Sequence, residues 1–465
     1  MSLIRTLPAP VHLPPPGWDT PRREPYFGPL PPTGAPRQRF DTGYLQWRSS
    51  IAIGRSATEL WWLHPIACTA VLLLVYASFM AFDFERVVPR VYVPGWHYAW
   101  GAALLVAMAV GMAMTTTGRR PTPLAPTVGL DVPAWAMGLL LVGALFAYAV
   151  WFTPLLSNPQ LLMDILHGER SSVRDIAATT PGVTTMTQFG VAYVIAFAAM
   201  RSSRARELEG WEYVGLMVVF ALAAMRAVAW SERLAVIELV VAYVVARMAY
   251  ARVHTMRAWR WSTVLPLAAP ALLYVAFTGT EYLRSWEYYR TEYDTVWAFS
   301  FERLVAYYAT ATNNGIGMLV ESHDWPIYTG RFVLDWLYLS PGIGDLLHDI
   351  HGDAMTQYNA FLDMYARPEF NSPTGMFPAV YDLGYAGSMI YFAVVGALIG
   401  KLWDSWRRQS GGGVLFYPIA VMFLVELLRF NYFSASRCVP AVLALLLLWG
   451  VARPVTLHTR GGTPW

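Results

Sequence analysis

About ten apolar runs, each near twenty residues long, recur along the chain, and the connections between them carry arginines on alternating sides. Twenty residues at a helical rise of ~1.5 Å match the hydrocarbon thickness of a bilayer. Inside lipid only helices and closed barrels satisfy their own backbone polar groups, so runs of this length predict an all-α, polytopic transmembrane helical bundle. The expected limits are 60–81, 95–115, 132–152, 183–200, 211–229, 234–251, 262–279, 380–400, 414–432 and 438–452. Hydrophobic residues make up 56% of the 465 positions and charged residues 14%, with a mean hydropathy of +0.37. Soluble domains average about 25% charged residues, so the composition excludes an ordinary soluble enzyme. Cys68 and Cys438 both fall inside apolar runs and read as small core residues, not as a disulfide framework or redox pair. The net charge of +3 is too small to suggest a nucleic-acid partner.

The first 58 residues are rich in proline, including Pro14, Pro15, Pro16, Pro31 and Pro32, and lack an apolar face of helical period. They are expected to form a disordered tail, and the first apolar run is expected to be retained as a span rather than cleaved. The expected division is therefore 1–58 tail, 59–279 with seven spans, 280–379 a large loop, 380–453 with three more spans, and 454–465 a short tail. Positive residues are retained on the cytoplasmic side of a membrane. The tail arginines, Arg119 and Arg120, Arg201, Arg204 and Arg206, Arg247 to Arg260, and Lys401, Arg407, Arg408 and Arg453 all fall on one side of such a bundle. Both termini are then expected to be cytoplasmic. The opposite connections mix signs, with Asp83, Glu85, Arg86, Arg90, Arg170 and Arg174, and the 280–379 segment joins them on the extracytoplasmic side. The dominance of arginine over a single lysine, Lys401, with many Ala and Val, points to a GC-rich bacterial genome and so to a bacterial inner membrane.

Nucleotides are not in bulk supply outside the cell, so group transfer there draws its energy from a donor already carried across on lipid. A polyprenyl-linked sugar departs as a diphosphate, and an arginine fork matches phosphate oxygens in bidentate fashion while staying charged at any working pH. The outer connections hold several candidates. Trp230-Ser231-Glu232-Arg233 joins the fifth and sixth runs, with Arg226 just before it. Charges so close to hydrocarbon usually face a bundle interior or a water-filled cavity, although Glu232 and Arg233 as a simple interfacial pair is the alternative. After the seventh run, Glu281, Arg284 and Tyr288 recur at helical spacing and share a face, and Arg290 follows. The aromatic residues there fit either a headgroup belt or a glycan groove. Arg429, Asn431 and Arg437 bracket the turn between the last two runs. His348 and His351 stand i, i+3 beside Asp349 and Asp353, but no third ligand set accompanies them, and no metal is expected. No cofactor is expected either.

The stretch Glu369-Phe370-Asn371-Ser372-Pro373-Thr374-Gly375-Met376-Phe377-Pro378-Ala379-Val380-Tyr381-Asp382-Leu383-Gly384-Tyr385-Ala386-Gly387 combines turn chemistry with a glycine-rich span. Asp382 near the start of that span reads equally as a helix-dipole partner or as a functional carboxylate. With the Ser-Glu-Arg turn, the late loop and the arginine-bearing final spans, this stretch resembles the O-antigen polymerase and oligosaccharide repeat-unit polymerase family. The resemblance runs from Arg201 to Arg453, with Ser372 standing where that family's signature has Thr and Leu383 where it has Phe. It implies a glycosyltransferase that joins polyprenyl-diphosphate-linked oligosaccharide units to a growing glycan, without nucleotide sugar or essential metal, among membrane lipid and with a chain-length regulator as a further partner. Residue by residue it implies Arg233, Glu281, Arg284, Glu369, Asn371, Asp382 and Gly384 as its functional positions.

The expected reaction is displacement at the anomeric carbon, with polyprenyl diphosphate leaving into an arginine cluster. Arg233 and Arg284 lead that cluster, Arg290, Arg429 and Arg437 follow, and Asn371 is a further substrate contact. Glu369, Asp382 and Glu281 are the catalytic carboxylates, ahead of His323, His348 and His351 as bases. Rival readings are an O-antigen ligase, a lipid-linked-sugar transferase of the C superfamily, for which Asp83 and Glu85 are a faint hint, and a lipid-linked glycan transporter. A transporter would show inverted repeats and charges at mid-bilayer, whereas these charges gather at the ends of the runs.

Overall fold

A computed structural model describes residues 55–116, 128–166, 173, 180, 182–253, 255–322, 324–340, 342–351, 354–367 and 369–456. Residues 1–54 of the expected tail, Arg119, Arg120, Arg170, Arg174, His323, Asp353 and the last nine residues lie outside the described residues. The described chain is helical. The helices are α1 (Pro65–Ser78), α2 (Trp96–Thr115), α3 (Ala134–Ser157), α4 (Gln160–Leu166), α5 (Phe189–Ser203), α6 (Gly210–Ala229) and α7 (Leu234–Met248). They continue as α8 (Met256–Val264), α9 (Ala269–Arg284), α10 (Trp286–Tyr289), α11 (Val296–Glu321), α12 (Asp335–Tyr338), α13 (Ile343–His351) and α14 (Ala354–Tyr365). The last three are α15 (Phe377–Arg407), α16 (Gly411–Glu426) and α17 (Cys438–Val451). Two short antiparallel ladders join segments far apart in sequence, Arg55–Ser56 on Arg252–Val253 and Val128–Asp131 on Arg453–Thr456.

Each apolar run of the sequence falls on helix, but only five stretches of the described residues are long and apolar enough to cross a membrane. They are Trp96–Thr115, Ala134–Ser157, Gly210–Ala229, Met256–Tyr282 and Phe377–Arg407, the fourth being α8 and α9 joined through a 3-10 turn at Pro266. The runs expected at 183–200 and 234–251 form helices of only 15 residues each. In α5 every residue from Val191 to Met200 is buried, as a helix that is apolar all round requires.

The segment 280–379, expected as a large loop, is mostly helical. It carries five helices, among them the 26-residue α11. Mixed polarity hid this helix because many of its polar residues are buried, and its two asparagines bind distant backbone. Asn313 accepts from the Tyr92 amide at 2.7 Å and donates to the Arg90 carbonyl at 2.9 Å, and Asn314 donates to the Phe370 carbonyl at 2.6 Å. Thr295 caps the start by accepting from the Ala298 amide at 3.1 Å.

Two uses of glycine set the frame. Along the contact between α2 and α15, a Cβ on Gly111 would strike the Ala393 carbonyl oxygen, one on Gly396 the Met108 carbonyl oxygen, and one on Gly400 the Thr115 hydroxyl. Spaced small residues let two backbones approach closely, and Thr115 uses that proximity to donate to the Ala397 carbonyl at 3.0 Å. Within α15, Gly384 adopts φ 68°, a conformation that breaks the helix and suits glycine. The break frees carbonyls that a neighbouring segment then satisfies. The Ile327 amide donates to Tyr381 O at 3.1 Å and the Tyr328 amide to Asp382 O at 2.9 Å.

Replacing Gly396 with leucine is expected to force α2 and α15 apart and destabilise the protein by at least about 1–3 kcal/mol. Gly138→Ala in α3, where a Cβ would meet nothing within 4 Å, is expected to be neutral or slightly stabilising. Thermal unfolding of the two variants in detergent checks the contrast.

Candidate functional site

A cavity of about 1030 Å³ opens where the turn between α6 and α7, the end of α9, the early turns of α11 and the turn after α16 converge. One part of its wall is apolar or aromatic, from Leu234, Ile237, Leu273, Phe277 and Leu304. The rest is charged, with Arg233, Arg284, Arg429, Arg437, Glu232, Glu369 and Glu426. Trp151, Trp230, Tyr288, Tyr289, Tyr307, Tyr308, Phe430, Ser231 and Ser285 complete the lining.

The charged wall is built on Glu281, whose side chain is fully buried at the end of α9. Its carboxylate is held by Arg233, which forms an ion pair with Oε1, and by Arg303, whose Nε lies 2.9 Å from Oε2. Arg284 approaches the same Oε1 to 3.9 Å. Arg303 then spans outward to Glu369, with Nη2 2.7 Å from Oε2, and Tyr289 donates its hydroxyl to Glu369 Oε1 at 3.1 Å. Aromatic faces support the guanidinium groups. Arg233 lies over Phe277 at 3.9 Å, and Arg303 lies 5.4–5.5 Å from the rings of Tyr289, Phe299 and Phe370.

A second network starts from the 230–233 turn, where Ser231 takes φ 53°. Glu232 accepts from Arg226 at 2.6 and 2.8 Å and from Arg437 at 2.8 Å. Burial works against ionisation of Glu232, but Arg437 and Arg226 outweigh it and hold the carboxyl below its usual range. Arg437 also donates to the buried Glu238 at 3.1 Å, which accepts from Tyr432 and Gln188 at 2.9 Å each. Arg226 is anchored to Thr187 at 3.0 Å and stacks on Trp151 at 3.7 Å. Opposite, Arg429 lies 5.0 Å from the Tyr307 ring and 3.6 Å from Glu426 Oε2.

Of the residues expected from the sequence, Arg233, Arg284, Arg429, Arg437 and Glu369 line this one cavity, and Glu281 sits directly behind it. Three others stand elsewhere. Asp382 is fully buried, and its Oδ2 accepts from the Phe332 and Val333 amides at 2.7 and 2.9 Å, which braces the 329–335 turn against α15. The Asn371 side chain is exposed, and only its carbonyl is engaged, by the Tyr358 hydroxyl at 2.8 Å. Arg290 is exposed and paired with Glu287. His348 packs on Tyr338 in the α12–α13 region, and His351 ends α13, both away from the cavity. Among the described residues no group of three metal-ligating side chains comes together.

The Asn371-to-Gly375 stretch shapes the site without lining it. Gly315 of α11 packs so closely on Thr374 that a Cβ would stand 2.8 Å from its methyl group. Gly375 donates to the Leu427 carbonyl at 2.8 Å, and Thr374 bridges to Phe430. This wedge fixes the turn that carries Arg429. Arg303, Glu238 and Glu426 were not singled out from the sequence. The signal for the last two was available, since each is a carboxylate inside an apolar run. No family model matches the chain, and no curated protein or solved structure is significantly similar to it.

Glu281→Ala leaves the buried Arg303 and the one-fifth-exposed Arg233 without their shared anion, and is expected to cost about 3–5 kcal/mol. Arg284→Ala removes only a long contact from a side chain one-fifth exposed, and is expected to cost under about 1 kcal/mol. Chemical denaturation in detergent, read by tryptophan fluorescence, measures both.

Proposed function

We propose that this chain is a membrane glycosyltransferase that polymerises polyprenyl-diphosphate-linked oligosaccharide units, and that the cavity holds the donor's diphosphate. The observation that carries the reading is the juxtaposition in one cavity of Arg233, Arg284, Arg429 and Arg437 with an apolar wall from Leu234, Ile237, Leu273 and Leu304. That pairing suits an amphiphile whose anionic head joins an isoprenoid tail. A free sugar nucleotide would leave the apolar wall unused, and a plain lipid would leave the arginines unused.

In this reading the chain crosses a bacterial inner membrane about ten times, with both termini cytoplasmic. Helix alternation supports the cavity's extracytoplasmic placement. The 230–233 turn lies at the opposite end of α6 from the arginine-rich 201–206 connection, and the Arg429 turn at the opposite end of α16 from Arg407 and Arg408. Residues 280–379 then form a helical extracytoplasmic element.

The reaction is displacement at the anomeric carbon of the donor. The acceptor hydroxyl attacks, and the bond to the diphosphate oxygen breaks. The guanidinium groups stabilise the negative charge that gathers on the leaving diphosphate. Glu281 and Glu232 hold them in place before substrate arrives, so little reorganisation is needed when that charge develops. Aromatic rings such as Tyr288 and Tyr307 offer faces on which sugar rings stack.

Purified protein in nanodiscs, given a defined lipid-diphosphate oligosaccharide, is expected to yield a ladder of products. Arg233→Ala and Arg429→Ala are each expected to lower the elongation rate by about 10²–10³-fold, while Arg290→Ala stays within twofold of wild type. Full activity in both cavity variants would reject the assignment.

A further inference from the structure

We infer that Glu426 is the catalytic base that takes the proton from the acceptor hydroxyl. The inference rests on the glycosyltransferase reading and adds to it the group that activates the nucleophile.

A base needs a free lone pair facing the reacting hydroxyl. Three carboxylates line the cavity, and they differ in how their oxygens are occupied. Glu232 accepts from Arg226 through Oε2 and from Arg437 through Oε1, so both oxygens are engaged by charged donors. Glu369 gives one oxygen to Arg303 and the other to Tyr289, and its side chain is 42% exposed at the mouth. Glu281 does not line the cavity, and although its Oε2 makes no hydrogen bond, that oxygen lies 2.9 Å from Arg303 Nε while Oε1 pairs with Arg233. Proton uptake by any of these would weaken ion pairs that hold the arginines in place.

Glu426 is different. Its residue is 2% exposed, its Oε2 is buried without a hydrogen-bond partner, and its nearest cation, Arg429 Nη1, lies at 3.6 Å. That separation is longer than a hydrogen bond. A buried acceptor left unmade is costly, and a donor supplied by substrate removes the cost. Arg429 is itself a proposed diphosphate contact, so the carboxylate stands beside the place where the leaving group and the acceptor must meet.

The step balances without a further reagent. The acceptor oxygen forms a bond to the anomeric carbon as the bond from that carbon to the diphosphate oxygen breaks. The electron pair leaves with the diphosphate, and the hydroxyl proton passes to the Glu426 carboxylate. Glu426 releases that proton to water before the next turnover.

The test compares wild type with Glu426→Gln, which keeps the shape and removes the basicity. Elongation is followed with a lipid-diphosphate oligosaccharide, and donor affinity by quenching of tryptophan fluorescence with polyprenyl diphosphate, since Trp151 and Trp230 line the cavity. The expected result is a loss of kcat of about 10²-fold or more, with the affinity for polyprenyl diphosphate within threefold of wild type. A kcat within tenfold of wild type overturns the inference. So does a loss of kcat matched by an equal loss of affinity, because Glu426 then serves only to place Arg429. If folded wild-type protein elongates nothing, the glycosyltransferase reading itself fails and takes this assignment with it.

Discussion

The buried carboxylate of Glu281 is the interaction on which the cavity depends. It lies at the end of α9, yet its partners come from the turn before α7 and from α11, so one anion draws three separate elements to one point. Burying a carboxylate alone is prohibitive, and burying several guanidinium groups together is no better. Each is tolerable only because the other is there. Arg303 extends the tie to Glu369, which places the start of the 369–375 wedge against α11. The wedge in turn holds the turn of Arg429. The position of arginines around an open space therefore follows from charge neutralisation in a region too apolar to leave any charge unmatched.

The two networks divide the labour in a way that suits a leaving diphosphate. The Glu232–Arg437–Glu238 network occupies the carboxylate oxygens, with Tyr432 and Gln188 also donating to Glu238. Arg284 and Arg429 are held more loosely, by contacts of 3.9 and 3.6 Å, and so keep donors to offer. The apolar residues of α7, α9 and α11 line the same cavity as these donors, and an isoprenoid diphosphate is a ligand that would use both surfaces.

Much of this was legible in the sequence, and the rest was hidden for identifiable reasons. Apolar runs of span length gave away the helices, because hydropathy over twenty residues is a strong signal. The arginines at the ends of those runs were equally visible, since charge beside hydrocarbon needs a cavity or a partner. Five of the expected site residues do share one cavity. Between 371 and 382, residues demanded by backbone geometry look the same in sequence as residues demanded by chemistry. Asn371 and Asp382 prove to be engaged with the chain itself. The helix α11 escaped notice because its buried asparagines and threonines break the apolar pattern, and their partners at Arg90, Tyr92 and Phe370 are more than fifty residues away in sequence. Glu281 was visible as a charge, but its place behind the arginines of the cavity wall depends on Arg303, which no periodicity links to it.

The most direct measurement of the central claim is an electron cryo-microscopy map of the full chain in nanodiscs with bound polyprenyl diphosphate. The account predicts density for the diphosphate among Arg233, Arg284 and Arg429, with the isoprenoid chain leaving along Leu234, Ile237 and Leu273. A cavity that opens towards the cytoplasmic face, or a diphosphate bound away from these arginines, would contradict it.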